Sequence, residues 1–275
     1  MDASLYLVAT PIGNLDDISI RALRVLKEVD LIAAEDTRHT RKLLSHYNIH
    51  TPLTSYFEHN KRVKGEYIVS QLKQGKSVAL VSDAGMPGIS DPGEDLVREV
   101  IAQGLKVCPI PGPSASIAAL VVSGLPTDRF IFEGFLPREK KDKRQRMNCL
   151  KAEQRTIILY ESPYRLIDTL MEFLQVLGDR KAAVSREITK KYEETIRGTL
   201  SEMISYFQDN PPKGEITLVI AGREEQKEVL IDTVQLKGEI KKLVNTGMAK
   251  KDAVKEIAMR YGLPKNQVYR LSLEE

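Results

Sequence analysis

Short apolar runs alternate with stretches of helical periodicity along most of the chain. Residues 5–10 (LYLVAT) form an apolar run that stops at Pro11 and Gly13, the pattern of a buried strand entering a turn. Ile20, Leu23, Val25 and Leu26 then recur at helical spacing, and 30–35 (DLIAAE) reads as a second strand followed by a basic helix through Arg38, Arg41, Leu43 and Leu44. A helix through Val63, Tyr67, Ile68 and Leu72 ends at Gly75, and 77–81 is a third strand opening into a long loop, 82–93. A helix over 94–103, a strand over 106–110 and a small-residue helix over 113–123 follow. This alternation predicts a mainly parallel α/β sheet.

The alternation continues with strands over 129–136, 155–160, 181–188 and 215–221, and helices over 164–177 and 201–207. At 223–228 (REEQKE) apolar periodicity stops, and beyond it three short helices are expected over 236–244, 250–261 and 265–271. The fold class is therefore α/β, with two α/β domains and a small C-terminal helical tail. We place the boundaries at 1–116, 117–222, a linker over 223–235 and the tail over 236–275. Residues 250–271 read as helix, glycine-containing turn, helix, with Ala253, Ile257 and Ala258 packed inward against Val268 and Leu271.

Composition narrows the class without deciding it. With 42% hydrophobic and 29% charged residues over 275 positions, a folded chain is expected, and no apolar run is long enough to cross a bilayer. The start lacks a signal peptide's basic region, and Cys108 and Cys149 match no ligand spacing, so a reduced cytoplasmic protein without a metal is expected. Four histidines (39, 46, 50 and 59) lack any H-E-x-x-H context and read as surface residues. Phe130, Phe132 and Phe135 alternate along one strand and read as core.

Charge distribution changes the picture more than its total of +3. Residues 138–151 hold seven basic against two acidic side chains, and 236–275 hold nine against five. Two such segments suit a polyanion, although either alone also reads as a solvated helix face. The candidates for nucleic-acid contact are Arg138, Lys140, Lys141 and Arg144 in the first segment and Lys250, Lys251, Lys265 and Arg270 in the tail. Tyr261 and Tyr269 either stack on bases or pack between the short helices.

Three loops after successive strands carry unusual Gly and Pro content: 10–14 (TPIGN), 83–93 (DAGMPGISDPG) and 111–116 (PGPSAS). Ligands of open α/β sheets gather at such strand ends, where backbone N–H groups are unpaired. Each loop alone reads more readily as a tight turn; three on successive strand ends point to a ligand. Neither a P-loop nor a G-x-G-x-x-G follows the first strand, so phosphate or dinucleotide binding by those devices is unsupported.

These same loops carry a resemblance. LVATPIGNLDDIS, AEDTRHTRKLL, VSDAGMPGISDPG, PIPGPSAS, FEGFLPR, ILYESPYRL, SREITKKYEE and GEITLVIAG closely resemble the bacterial rRNA small-subunit methyltransferase I family, cytidine 2′-O-methyltransferases of the tetrapyrrole methylase superfamily. The match runs from the first strand to about Gly222, and the basic tail is similar too. It implies two domains with S-adenosylmethionine in the cleft between them, 16S rRNA in the small ribosomal subunit as partner with a decoding-region cytidine as target, and a homodimer. It also implies cofactor contacts from Pro11, Gly13, Asp83, Gly85, Met86, Ile89, Ser114, Ala115, Tyr160 and Glu161. Met86 stands where the superfamily often has Asp, which implies backbone contact there.

Methyl transfer aligns nucleophile, methyl and sulfur, and a ribose hydroxyl gains ~10²–10⁴-fold from a positioned proton acceptor. At the end of the second strand, Asp36 is our first candidate and Glu35 the second, with Arg38 holding a phosphate. Glu187, Glu161 and Arg186 are the candidates from the second half, and each of these also suits a structural ion pair. Two rival readings stand: a small-molecule, tetrapyrrole-like methylase on the same fold, and a non-enzymatic RNA-binding ribosome-assembly factor.

Overall fold

The computed structural model describes residues 1–224, 233–261, 263 and 265–273, and falls into two compact units, 1–224 and 225–275. In the first unit, β1 (Leu5–Val8), β2 (Leu31–Ala34), β3 (Leu53–Ser55), β4 (Val78–Val81) and β5 (Val107–Ile110) form an all-parallel sheet in the order β3-β2-β4-β1-β5. The period of two along each strand divides the side chains between two cores. Tyr6, Val8, Ile32, Ala34, Ala79 and Val81 face α1 (Ile20–Glu28) and α2 (Thr37–His46), whose Val25, Leu26, Leu43 and Leu44 complete that layer. Leu5, Leu31, Ala33, Val78 and Leu80 face α3 (Lys61–Lys73) and α4 (Gly93–Ala102). Here α1 leaves β1 on one face and α4 leaves the adjacent β4 on the other, the switch point at whose carboxyl ends open α/β sheets form a crevice.

The second sheet runs β6-β7-β10-β8-β9, from β6 (Phe130–Phe135), β7 (Thr156–Glu161), β8 (Lys181–Arg186), β9 (Glu194–Thr199) and β10 (Ile216–Ile220). A parallel sheet is the wrong description here. Only β6 and β7 are parallel, and the other three pairs are antiparallel. Loop length accounts for β8 and β9, which are joined directly by 187–193, too short for a crossover helix, while β10 returns after the helix Leu200–Asp209 to lie antiparallel between β7 and β8. One face carries α6 (Lys140–Cys149), α7 (Leu166–Leu177) and α8 (Leu200–Asp209), the last held by a capping box between Thr199 and Glu202. The other face is covered by α5 (Ala115–Val122), whose Ala119 and Leu120 pack on Ile158, Ala183 and Val219.

Beta strands β3 and β9 are additions to the expected list, and both lie at sheet edges, where partial exposure erases the apolar signal. Phe130 and Phe135 are 39% and 59% exposed, so the core reading fails for these two, while Phe132 packs against the core around Ile158 and Val219. Gly134, at φ +62°, accompanies a register break between Phe132 and Phe135 that turns the end of β6 outward.

The second unit comprises α9 (Thr233–Asn245), α10 (Lys250–Tyr261) and α11 (Lys265–Leu271). Leu236, Ile240, Ala253, Val254, Ile257, Ala258 and Val268 form its core, with Leu271 partly buried against it. The linker expected over 223–235 lies mostly outside the described residues, as do Gly262 and Pro264 of the turn. No described helix is long and apolar enough to cross a membrane.

Candidate functional site

The crevice at the strand ends is a cavity of about 510 Å³ between the two sheets of the first unit. Its floor is made where the loops after β1 and β4 are tied together: Thr10 and Gly85 exchange both backbone hydrogen bonds, at 2.9 and 3.0 Å. Gly85 adopts φ +79°, a conformation glycine adopts without strain. Gly112 lets the loop after β5 approach β1, since a Cβ there would stand 2.9 Å from the Ala9 Cβ.

Two acidic loops are laced together beside this floor. The Asp36 N–H donates to Asp83 Oδ1 at 3.0 Å, and the Asp83 N–H reaches Glu35 Oε2 at 3.5 Å. Glu35 lines the cavity, and burial together with the Asp83 charge raises its pKa above the ordinary value. Asp36 does not line it. Its carboxylate caps α2 through the Arg38 N–H (2.8 Å) and pairs with the Arg38 guanidinium at 2.9 and 3.2 Å, which lowers its pKa to about 2. Arg38 itself points to solvent. Asp91, absent from our candidates, also lines the cavity; it accepts from the Gly88 and Gly93 N–H groups at 2.7–3.0 Å, and burial raises its pKa.

The opposite wall comes from the second sheet. Tyr160 lies edge-on to Phe132 with ring centroids 5.0 Å apart and is tilted against Phe135 at 5.5 Å. Glu161 is 3% exposed and accepts from the Ser162 N–H (2.8 Å) and the Thr169 hydroxyl (2.7 Å). Because β10 runs antiparallel to β7, with Ile216 opposite Glu161 and Thr217 opposite Tyr160, the beginning of β10 shares this wall. Strand-end reasoning missed it for that reason: the rule looks at carboxyl ends, and β10 presents its amino end.

Of the cofactor candidates, Asp83, Gly85, Met86, Ile89, Ser114, Ala115, Tyr160 and Glu161 line the cavity. Pro11 and Gly13 do not, although Ile12 between them does. Gly13 instead abuts the β8–β9 turn, where a Cβ would stand 2.5 Å from Lys190 Cγ. Glu187 lies outside the lining, its Oε1 accepting from Lys190 Nζ (2.9 Å) and the Glu215 N–H (3.1 Å); the Lys190 bond leads the lowering of its pKa. Arg186 pairs with Glu194 at 2.6 Å. Arg138, Lys140, Lys141 and Arg144 are exposed on or beside α6, while Arg146 pairs with Glu133. In the second unit Lys250, Lys251, Lys265 and Arg270 are exposed, Lys250 donating to the Ser272 carbonyl at 2.8 Å. Tyr261 bonds Glu239, and Tyr269 is 48% exposed.

The cavity's charge is one-sided. Glu35, Asp83, Asp91, Glu161 and Glu215 line it, with no lysine, arginine or histidine lining it among the described residues.

A cleft of this kind between a parallel and a mixed sheet defines the class, and residues 4–204 match the family described as Tetrapyrrole (Corrin/Porphyrin) Methylases. Among solved structures, cobalt precorrin-4 methyltransferase superposes with a TM-score of 0.60 at 17% identity over 80% of this chain and 95% of that one. A uroporphyrin-III C-methyltransferase of Thermus thermophilus, complexed with S-adenosyl homocysteine, gives 0.54 at 18% over 78% and 96%. More similar relatives are named ribosomal RNA small subunit methyltransferase I. That of Halalkalibacterium halodurans is 48% identical over 99% of this chain and 95% of its own length, and that of Escherichia coli O157:H7 43% over 98% and 95%. The Thermotoga maritima relative is 53% identical over 80% of this chain and 99% of itself. The chain belongs to the tetrapyrrole methylases, in the ribosomal RNA small subunit methyltransferase I family.

Proposed function

We propose that the cleft binds S-adenosylmethionine and that the chain transfers its methyl group to the ribose 2′-hydroxyl of a cytidine in the decoding region of 16S rRNA. The acidic, cation-free lining carries this reading, because the donor brings a sulfonium and an ammonium and no phosphate. The volume suits a ligand of that size. The first N–H groups of α5 have no side-chain cap and stand beside the cavity at Ser114 and Ala115, a suitable place for the donor's carboxylate. Tyr160 and Phe135 offer aromatic surface for a base.

When bound, the sulfonium supplies an already activated methyl group. The protein's part is to orient the ribose and take its proton. We assign the proton to Glu35, not to Asp36, because Glu35 faces the cavity with a raised pKa while Asp36 is committed to its cap and to Arg38. The exposed cations Arg138, Lys140, Lys141 and Arg144, free of ion pairs among the described residues, form the RNA-facing side of the first unit, and Lys251, Lys265 and Arg270 that of the second. A second copy of the chain is the partner we propose for α5, whose Ile117, Val121 and Val122 remain 43–64% exposed.

The test is transfer of labelled methyl to undermethylated small subunits, followed by nuclease mapping. A single 2′-O-methylcytidine in the decoding region is the expected product. Donor binding without incorporation into subunits or free rRNA overturns the RNA substrate in favour of a small-molecule methylase.

A further inference from the structure

Within the basic segment 138–151 one cation is buried: Lys143 is 6% exposed, whereas its other lysines and arginines face solvent. Its Nζ donates to the Thr169 hydroxyl at 3.0 Å, and that hydroxyl, wholly buried, donates to Glu161 Oε2 at 2.7 Å. The direction is forced by chemistry. An ammonium has no lone pair to offer, so Thr169 accepts from Lys143 and its own proton is left for the carboxylate. Glu161 Oε1 takes the Ser162 N–H at 2.8 Å, with Arg165 Nε at 3.5 Å, and Glu172 pairs with Lys143 at 3.2 Å from the outer side. A buried carboxylate is thus joined to a buried ammonium through one hydroxyl, and the carboxylate grips the backbone that turns away at the end of β7.

We propose that Lys143 and Thr169 are positioning residues for the methyl donor: they fix the Glu161 carboxylate, and with it the 160–163 wall of the cleft. Tyr160, Glu161, Ser162 and Pro163 all line the cavity, so rotation of this one carboxylate displaces the wall that faces the ligand. Buried charges of this kind keep their geometry only while every partner is present. The inference rests on the cleft being the donor's site, and it adds a strut running from the RNA-facing helix α6, through α7, to the end of β7.

The full chain is titrated with S-adenosylhomocysteine by calorimetry, and the KM for small subunits is measured in parallel. Thr169→Val, which keeps shape and removes the hydroxyl, and Lys143→Met, which keeps the aliphatic stem, are expected to weaken binding about ten-fold or more, as for loss of a charge-assisted hydrogen bond. The KM for subunits should stay within about two-fold, and Thr169→Ser should restore binding. If Thr169→Val does not fold, Lys143→Met and Thr169→Ser carry the comparison. Ala115→Phe, which places a ring in the cavity, is the control for the cleft itself. Binding lost in Ala115→Phe but unchanged in the other variants overturns the strut alone. Binding unchanged in Ala115→Phe overturns the cleft as donor site and the strut with it. A subunit KM rising in step with the loss of binding marks a general structural defect and also overturns the proposal.

Discussion

A carboxylate that takes a proton from a ribose hydroxyl works best when its pKa is lifted towards neutrality, and the loop after β2 holds two neighbours with opposite fates. Glu35 is half-buried beside Asp83 and raised; Asp36 is held down by Arg38. Glu35→Gln should therefore lower kcat by ~10²-fold or more with S-adenosylhomocysteine affinity little changed. The role we propose for Glu35 requires its ionised form, so activity should fall as pH drops through its raised pKa, at higher pH than an ordinary glutamate at 4.5 would require. Asp36→Asn should keep most of its turnover, since asparagine also caps a helix. The stability contributed by Asp36 follows the other sign: its folded pKa of about 2 lies below 3.8, so the contribution is present above 3.8 and is lost as pH falls through about 2. Comparing acid melts of the unaltered protein and Asp36→Asn checks this. The neighbouring Glu35 shows how much was legible: the AEDTRHT run marks the loop as chemical, but which of two adjacent carboxylates turns inward depends on packing that periodicity does not encode.

At the scale of elements, α6 sorts its cations by face. Lys143 points inward, Arg146 is paired with Glu133, and Lys141 and Arg144 are left to solvent. Lys141→Glu with Arg144→Glu should raise the KM for subunits and flatten its dependence on salt, while donor affinity stays put. Thr199→Ala, which breaks the capping box of α8 on the far side of the second sheet, should instead cost about 1 kcal/mol in urea melts without touching either ligand. The central strands β1, β2 and β4 of the parallel sheet were legible because they are buried and read as uninterrupted apolar runs. Beta strand β9 (ETIRGT) was not, since it lies at an edge and is half exposed. The same antiparallel pairing hid part of the site: Gly214 to Thr217 reach the cleft only because β10 runs against β7, a fact of topology that no local window contains.

For the whole molecule, the question is what the second unit adds. Residues 1–224 form one compact unit that contains both sheets and every described residue lining the cleft. The Thermotoga maritima relative bears the same family name, although 80% of this chain spans 99% of its length. We therefore expect donor binding and the chemical step to rest on the first unit. The second has its own core and a set of exposed cations, which fits an added hold on a polyanion. A chain ending at Glu224 should bind S-adenosylhomocysteine like the full protein and keep its kcat at saturating small subunits. Its KM for subunits should rise, by more at low salt than at high, because the contacts we assign to the tail are with phosphates and weaken as salt screens them. Parallel kinetics at two ionic strengths test this division. Unchanged KM at both would remove the tail from RNA docking, leaving it a stabilising appendage, whereas a collapsed kcat would mean that it helps to assemble the active site itself.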